Sequence, residues 1–573
     1  MSDPARSSSF HSEATAITHA NAKVVLSLIV AEVLGCLLLL HFLRDSRWIR
    51  SLTLCFEYLI LLSSLLWLLR RSPRQNCGNL PLKWPAIMIA TAFVCVCIPL
   101  AHHEYFSPRN PVDETGYSFQ AQIFRLGRVL AEALPGATES VSQTPEELNY
   151  QNHVLSKRGW FTHFPPGWPL VLIIGQWLHT PWLLNPLFSA ALLATIFLIG
   201  NGISSSSTGQ LAVLMATLSS FFLVNSVSLL SHTLSALLGA VSCWLLLKGF
   251  STKRAGLLAG AFAVLVPAFH VRPYTALAQA AVIGWAALWY TRNDRKLFRS
   301  VLISGFCFGL LAALTTMLYY YLCTGNAFTS PYAARVGARL PSELTLNPRL
   351  LFWFFRKWSA KTFLDTLGAT FPFVFLLALY AVVTEREKAR EIRILAAFFP
   401  ILVFAYLFHT ENPYSFFGSR YHFEGFFAIA VLGARGAELL AERWPIPRWL
   451  VATGLVMLAA ISLSIECGAA RSMMSLGQPY HAIKVAVAQL TPKPSLVFLH
   501  SGGGYNARFM NLNQADWRHA RTMYLIDAEA QNRDRWACLF ERRDWVVLSL
   551  HGTSGSVHEL WGQSACRAAS TFH

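Results

Sequence analysis

The chain has 573 residues, 54% of them hydrophobic, 13% aromatic and 13% charged, with a mean hydropathy of +0.41. Its repeated apolar runs of about 17 to 22 residues match the length that crosses about 30 Å of hydrocarbon, so the chain reads as a polytopic helical membrane protein. The net charge of +17 then reads as orientation and lipid-surface charge, which excludes a nucleic-acid footprint, and no basic-aromatic module points to nucleic acid.

Taken in order, residues 1–23 are polar and Ser/Ala-rich, without a short apolar core and cleavage site, so the first span is expected to be the targeting signal. Spans are predicted over 24–43, 51–69, 84–101, 181–200, 209–225, 227–247, 255–269, 273–290, 300–321, 367–384, 394–409, 423–440 and 449–466, about thirteen in all. Basic loops containing Arg70, Arg71, Arg74 and Lys83, then Lys248, Lys253 and Arg254, then Arg292, Arg295, Lys296 and Arg299, then Arg386, Lys388, Arg390 and Arg393 share one side if Pro165–Leu178 does not cross. The apolar run Trp168–Leu178 is short for a span and follows two prolines, so it is expected to be a juxtamembrane or re-entrant helix. Arg44, Arg47 and Arg50 dissent from this topology. It places residues 1–23 in the cytoplasm of a bacterial inner-membrane protein. A module over 24–466 follows, with outer loops 102–165 and 322–366, and the tail 467–573 lies on the periplasmic side. The fold class expected is all-α polytopic with a small C-terminal extracytoplasmic α/β domain.

The first outer loop opens on Asp113 and Glu114, two adjacent carboxylates just beyond a span. Phe119, Ile123, Leu126 and Leu130 recur at helical spacing, which predicts an amphipathic helix in the headgroup layer. Tyr117, one turn on, faces the same side as the acids. A helix-start role and a reacting role both suit an Asp-Glu pair here. His102, His103 and Glu104 precede it closely and are weak metal candidates with Glu114, although adjacent histidines diverge and no standard ligand spacing is present. Glu32 and Glu57, inside the first two predicted spans, flag polar contacts of unassigned meaning.

The 11 cysteines lie mostly in or beside spans; Cys467, Cys538 and Cys566 fall outside, and a Cys538–Cys566 disulfide is compatible with an oxidising periplasm. No CxxC, HExxH, GxGxxG or P-loop occurs. In the tail, 495–500 and 545–550 read as strands of an α/β unit, with 516–541 partly helical. Gly502–Gly504 suits a tight turn better than a phosphate cradle.

The segment PVDETGYSFQAQIF, followed by HFPPGWPL, resembles the first outer loop of the GT-C superfamily of integral-membrane glycosyltransferases, in the branch of protein mannosyltransferases and lipid A aminoarabinose transferases. FHVRPYTALAQ at 269–279, LCTGNAFTSPY at 322–332 and GSRYHFEGFFAIAVLGARG at 418–436 are similar to that family's bacterial members. The resemblance implies transfer of a sugar from a polyprenyl-phosphate-linked donor to a glycan, lipid or protein acceptor, with inversion. It implies Asp113 as general base, with Glu114 as support or metal ligand, and leaves a divalent metal cofactor open. Tyr117, His163, Arg272, Arg420, Tyr421 and His422 are the candidates for binding donor and phosphate, with Lys157 and Arg158 as looser ones. The family often carries Arg before that Tyr and Lys before the Pro-Pro pair; here Gly116 and Phe164 stand there, and both changes remove expected cations. A transporter or flippase, and a non-catalytic subunit of a glycan-assembly system, are the alternatives. Internal repeats favouring a transporter are not visible.

Overall fold

The computed structural model describes residues 86–139, 143–336, 365–406, 414–415, 418–443, 448–490, 495–542, 544–551 and 556–563. The expected spans 24–43 and 51–69, with Glu32 and Glu57, lie outside the described residues, as do 337–364 of the second outer loop and Cys566. Residues 81–439 and 456–573 form one compact unit, so the tail packs with the bundle instead of separating from it.

Helix α1 (Ala86–Phe106) leads through a short loop to α2 (Pro111–Arg125). Pro111 opens α2 where its missing N–H costs nothing, and Asp113 and Glu114 in the first turn complement the helix dipole. A hairpin, β1 (His153–Ser156) and β2 (Gly159–Thr162), precedes α3 (Gly167–Trp177). Helix α3 has 11 residues, too few to cross a bilayer.

The bundle continues with α4 (Leu184–Ile203), α5 (Ser206–Thr217), α6 (Ser220–Val227), α7 (His232–Thr252), α8 (Ala255–Val271), α9 (Pro273–Thr291), α10 (Arg295–Thr324) and the short α11 (Pro331–Val336). Helices α12 (Val374–Thr384), α13 (Ala389–Tyr406), α14 (Phe426–Arg443) and α15 (Arg448–Leu476) follow. Among the described residues, four segments are long and apolar enough to cross a membrane singly: Ala86–Phe106, Pro181–Ile203, His232–Thr252 and Arg295–Thr324. The predicted span 209–225 is instead a pair, α5 and α6, bent by 71°. The break is held by Ser219, whose Oγ donates to the Met215 carbonyl and accepts from the Phe371 amide. Leu302, Phe306, Leu314 and Leu318 on α10 stay exposed, a face suited to lipid and not to water. The chain is a multi-pass membrane protein.

In the tail, α16 (Gln478–Gln489) precedes a sheet of β3 (Leu496–His500), β4 (Met523–Ile526), β5 (Asp544–His551) and β6 (Ser556–Gln563), with α17 (Arg533–Leu539) between β4 and β5. The strand order is β4-β3-β5-β6; β3 runs parallel to β4 and β5, and β6 antiparallel to β5. Both strand-like runs of the tail are therefore strands. Cys538 is disulfide-bonded.

The tail sits on α2. Phe119 and Ile123 enter a core with Trp160, Phe161, Trp517 and the β3 side chains, while Tyr117 and Ala121 enter a second core with Phe164, Trp168, Leu229 and Val271. Helix α2 is thus enclosed from both sides, and it does not float in the headgroup layer as its periodicity suggested. Each fully buried aromatic or aliphatic side chain here adds about 1.5–3 kcal/mol of hydrophobic stabilisation. The expected continuation through Leu126 and Leu130 also fails: the helix ends at Arg125, and Gly127 takes a φ of +72°, which reverses the chain.

Candidate active site

Asp113 stands on the first turn of α2 with its carboxylate 18% exposed. Arg420 Nη1 pairs with Oδ2 at 2.9 Å, and Asn152 Nδ2 donates to Oδ1 at 2.9 Å. A carboxylate offers about four acceptor positions, so two remain for an incoming hydroxyl. Three segments remote in sequence meet here: α2, the turn before β1, and the stretch leading into α14. A buried network continues inward. Arg272, between α8 and α9, pairs with Glu424 at 2.9 Å and donates to the Tyr406 hydroxyl at 3.1 Å. His232 Nδ1 also meets Glu424, at 2.9 Å. Tyr117 joins this network, because its hydroxyl lies 3.1 Å from Ser231 Oγ, to which Arg272 Nη1 donates at 3.4 Å. Burial pushes the Tyr117 phenol up to about 12, so it serves as a neutral hydrogen-bonding group.

Glu114 does not share the site of its neighbour. Successive helical residues point about 100° apart, and Glu114 turns under the tail, 3% exposed, toward Glu104, Arg109 and Lys484. Burial, with Glu104 close by, holds its carboxyl well above the usual range, although Arg109 and Lys484 oppose the shift. Its Oε1 has no hydrogen-bond partner. The structure thus sets Glu114 apart from Asp113, beneath α16, where Lys484 donates to the Tyr105 carbonyl at 3.0 Å. A polar cleft of about 380 Å³ runs along this same side, lined by Ser118 and Gln122 of α2, and contains none of the groups that hold Asp113.

A group raised in the folded state favours folding at low pH, and that advantage is lost as pH rises through the folded value. Glu114→Gln removes the loss. The variant is expected to melt with wild type at pH below the ordinary glutamate range and about 2 °C or more above it at alkaline pH, with product unchanged within about twofold. Thermal melts of purified protein across pH check this; product loss at normal abundance would return Glu114 to the reacting centre.

Of the other candidates, Arg420 and Arg272 lie together around the Tyr421 ring, 5.1 and 5.4 Å from its centroid. Tyr421 stacks on Tyr406 at 4.8 Å. His422 packs instead against Phe399, and burial brings its imidazole down to about 4, so it carries no charge for a phosphate. His163 likewise fails as a substitute cation: burial and the Arg335 guanidinium hold it well below its ordinary value. The cation at that place is Arg335 itself, on α11, whose Nη1 donates to Asn152 Oδ1 at 2.7 Å and lies 3.4 Å from His163 Nδ1. Lys157 pairs with exposed Glu139, away from this centre.

The two positions where the resemblance leads one to expect cations, 116 and 164, touch each other. Phe164 stacks on Tyr117 at 4.0 Å, and a Cβ on Gly116 would meet the Phe164 ring at 2.7 Å. The phenyl ring fills the space a side chain at 116 requires. Among the described residues no group of three or more His, Cys, Asp or Glu is placed to hold a metal. His102 packs edge-on against Trp182 at 5.1 Å, and His103 is exposed.

Asn152, Arg335, Glu424, His232 and Tyr406 escaped the sequence reading. Only Glu424 carried a signal, as an acid within the SRYHFEG run.

No protein-family model matches the chain, and no curated protein matches it by sequence. Among solved structures, ArnT from Cupriavidus metallidurans bound to undecaprenyl phosphate aligns with a TM-score of 0.54 at 14% identity, covering 80% of this chain and 92% of that one. The same protein in the apo state aligns at 0.49 and 13%, over 80% and 93%. An oligosaccharyltransferase from Archaeoglobus fulgidus, in complex with Zn and sulfate, aligns at 0.45 and 12%, over 81% and 68%. At such identity the likeness speaks for architecture alone: the chain shares the fold of the undecaprenyl-phosphate-bound ArnT structure.

Proposed function

We propose that this chain transfers a hexosyl or pentosyl group from a polyprenyl-phosphate-linked donor to a hydroxyl of a lipid, polysaccharide or protein at the periplasmic face of a bacterial inner membrane. The observation that carries the reading is Asp113, partly open, held between Arg420 and Asn152 at the bundle end where Arg272 also lies. The fold supports it, since a solved structure of that fold holds undecaprenyl phosphate.

In the reaction, Asp113 takes the proton of the acceptor hydroxyl as its oxygen bonds to the anomeric carbon. The bond from that carbon to the phosphate oxygen breaks, and the polyprenyl phosphate leaves with the electron pair. Arg420 and Arg272 meet the charge developing on the phosphate, with Tyr117, Tyr406 and Tyr421 as neutral donors around it. A single displacement inverts the anomeric configuration. The tail bonds α2 through the Ala515 amide to Gln122 Oε1 and the turn that carries Asn152 through Gln151 N–H to the Arg508 carbonyl and Tyr150 Oη to the Tyr524 carbonyl, and so helps hold Asp113 in place.

Mass analysis of surface glycans and lipids from cells with and without the gene tests this. One sugar residue is expected to disappear from one glycan class and to return with the wild-type chain. Identical glycan and lipid profiles would overturn the proposal.

A further inference from the structure

We infer that Asn152 is a positioning residue for Asp113, and that Arg335 dictates its orientation. The inference rests on Asp113 being the base. An amide has one accepting and one donating end, and its two orientations differ only in which neighbours they satisfy. Here both neighbours have a fixed sense. A guanidinium only donates, and it approaches Oδ1 at 2.7 Å; an ionised carboxylate only accepts, and it takes Nδ2–H at 2.9 Å. Reversal would set N–H against N–H and oxygen against oxygen. Arg335 therefore locks the amide with its N–H toward Asp113 and polarises that bond, so its positive charge reaches the base at one remove without forming an ion pair with it.

The backbone is built for this residue. Asn152 is 6% exposed and has a φ of +66°, a left-handed conformation that Asn and Gly adopt at least cost. Its carbonyl accepts the His163 amide at 3.1 Å, and the preceding Gln151 amide is held by the tail at Arg508. On the far side, Tyr332 packs on the His163 ring at 4.5 Å, one turn before Arg335, so α11 docks where its Arg meets the amide. With Arg420 on Oδ2 and Asn152 on Oδ1, the carboxylate is fixed in plane and direction, as a base needs to be when it must face a hydroxyl within hydrogen-bond reach.

The test measures glycan product per unit of protein in cells, with medium pH varied so that the outer face follows it. Asn152→Gly keeps the left-handed backbone and loses the donor; product is expected to fall about 10- to 100-fold at normal abundance, the loss of a hydrogen bond to a charged group. Asn152→Asp places a second carboxylate against Asp113 and beside Arg335. The two carboxylates repel across the site, with Arg335 favouring the new one and Arg420 the old, and the added repulsion moves the acid limb of the product–pH curve up. Arg335→Lys still donates to Oδ1 and retains most product, whereas Arg335→Glu turns the amide round and loses it. Equal loss at every pH for Asn152→Asp, or no loss for Asn152→Gly, would overturn the inference while leaving the transferase reading intact. A failure of that reading shows separately, as unchanged product in Asp113→Asn.

Discussion

Asp113→Asn is expected to lower sugar transfer by about 10²- to 10⁴-fold, the usual contribution of a positioned general base, with normal abundance in the membrane. Asn matches Asp in shape, so the change removes basicity with little change in volume. Its amide oxygen still accepts from Arg420, or from Asn152, at the 2.9 Å that both now keep. The Arg420 cation also retains the Tyr421 hydroxyl at 3.3 Å and the ring beneath it. What is lost is the only acceptor at this position able to take a full proton from the attacking hydroxyl. Donor binding, proposed for Arg272 and Arg420, is expected to persist: purified variant still binds undecaprenyl phosphate within about threefold of wild type, because removing an anion beside a phosphate site does not weaken it. Product at wild-type level in mass analysis would remove Asp113 from the chemistry.

The position of Asp113 was legible because it opens an adjacent pair of carboxylates just beyond a predicted span, in a chain with 30 acidic residues among 573. Arg272 and Arg420 were legible as cations within the FHVRPYTALAQ and GSRYHFEGFFAIAVLGARG runs. Their partners were not, since nothing in a linear sequence ties Arg420 to a residue 307 positions earlier or Arg272 to Glu424. Glu114 misled through adjacency: neighbours in sequence share a face in no helix. The tail's strands showed as apolar runs, yet their packing on α2 did not, because Phe119 and Ile123 look alike whether lipid or protein covers them. The bend between α5 and α6 was hidden because Thr217, Ser219 and Ser220 do not lower the hydropathy of the stretch enough to break it, while their hydroxyls each bond a backbone carbonyl at the break.

A second large effect comes from restoring the family residue at position 116. Gly116→Arg alone is expected to be strongly damaging, although it returns the cation that the resemblance leads one to expect. The new Cβ would overlap Phe164 Cε2 at 2.7 Å. That ring is 7% exposed and stacked on Tyr117 at 4.0 Å, so shifting it disturbs Tyr117. Overpacking of this kind costs about 1–3 kcal/mol, and a guanidinium forced into an apolar cluster adds a desolvation cost. Displacing Phe164 also moves Tyr117 from Ser231, which loosens the link between α2 and Arg272. Product is expected to fall about 10²-fold or more, with reduced thermal stability. Phe164→Lys alone opens a gap over Gly116 and Tyr117 and costs stability of similar size. The double variant, with Gly116→Arg and Phe164→Lys together, vacates the ring's space and supplies two cations on the Tyr117 face of α2. Its loss is expected to be smaller than the sum of the two single losses, a coupling that contact between the two positions requires. Additive losses in the double variant, measured as product per unit of protein and as melting temperature, would show that the two substitutions are independent and that the phenyl ring does not stand in for the missing pair.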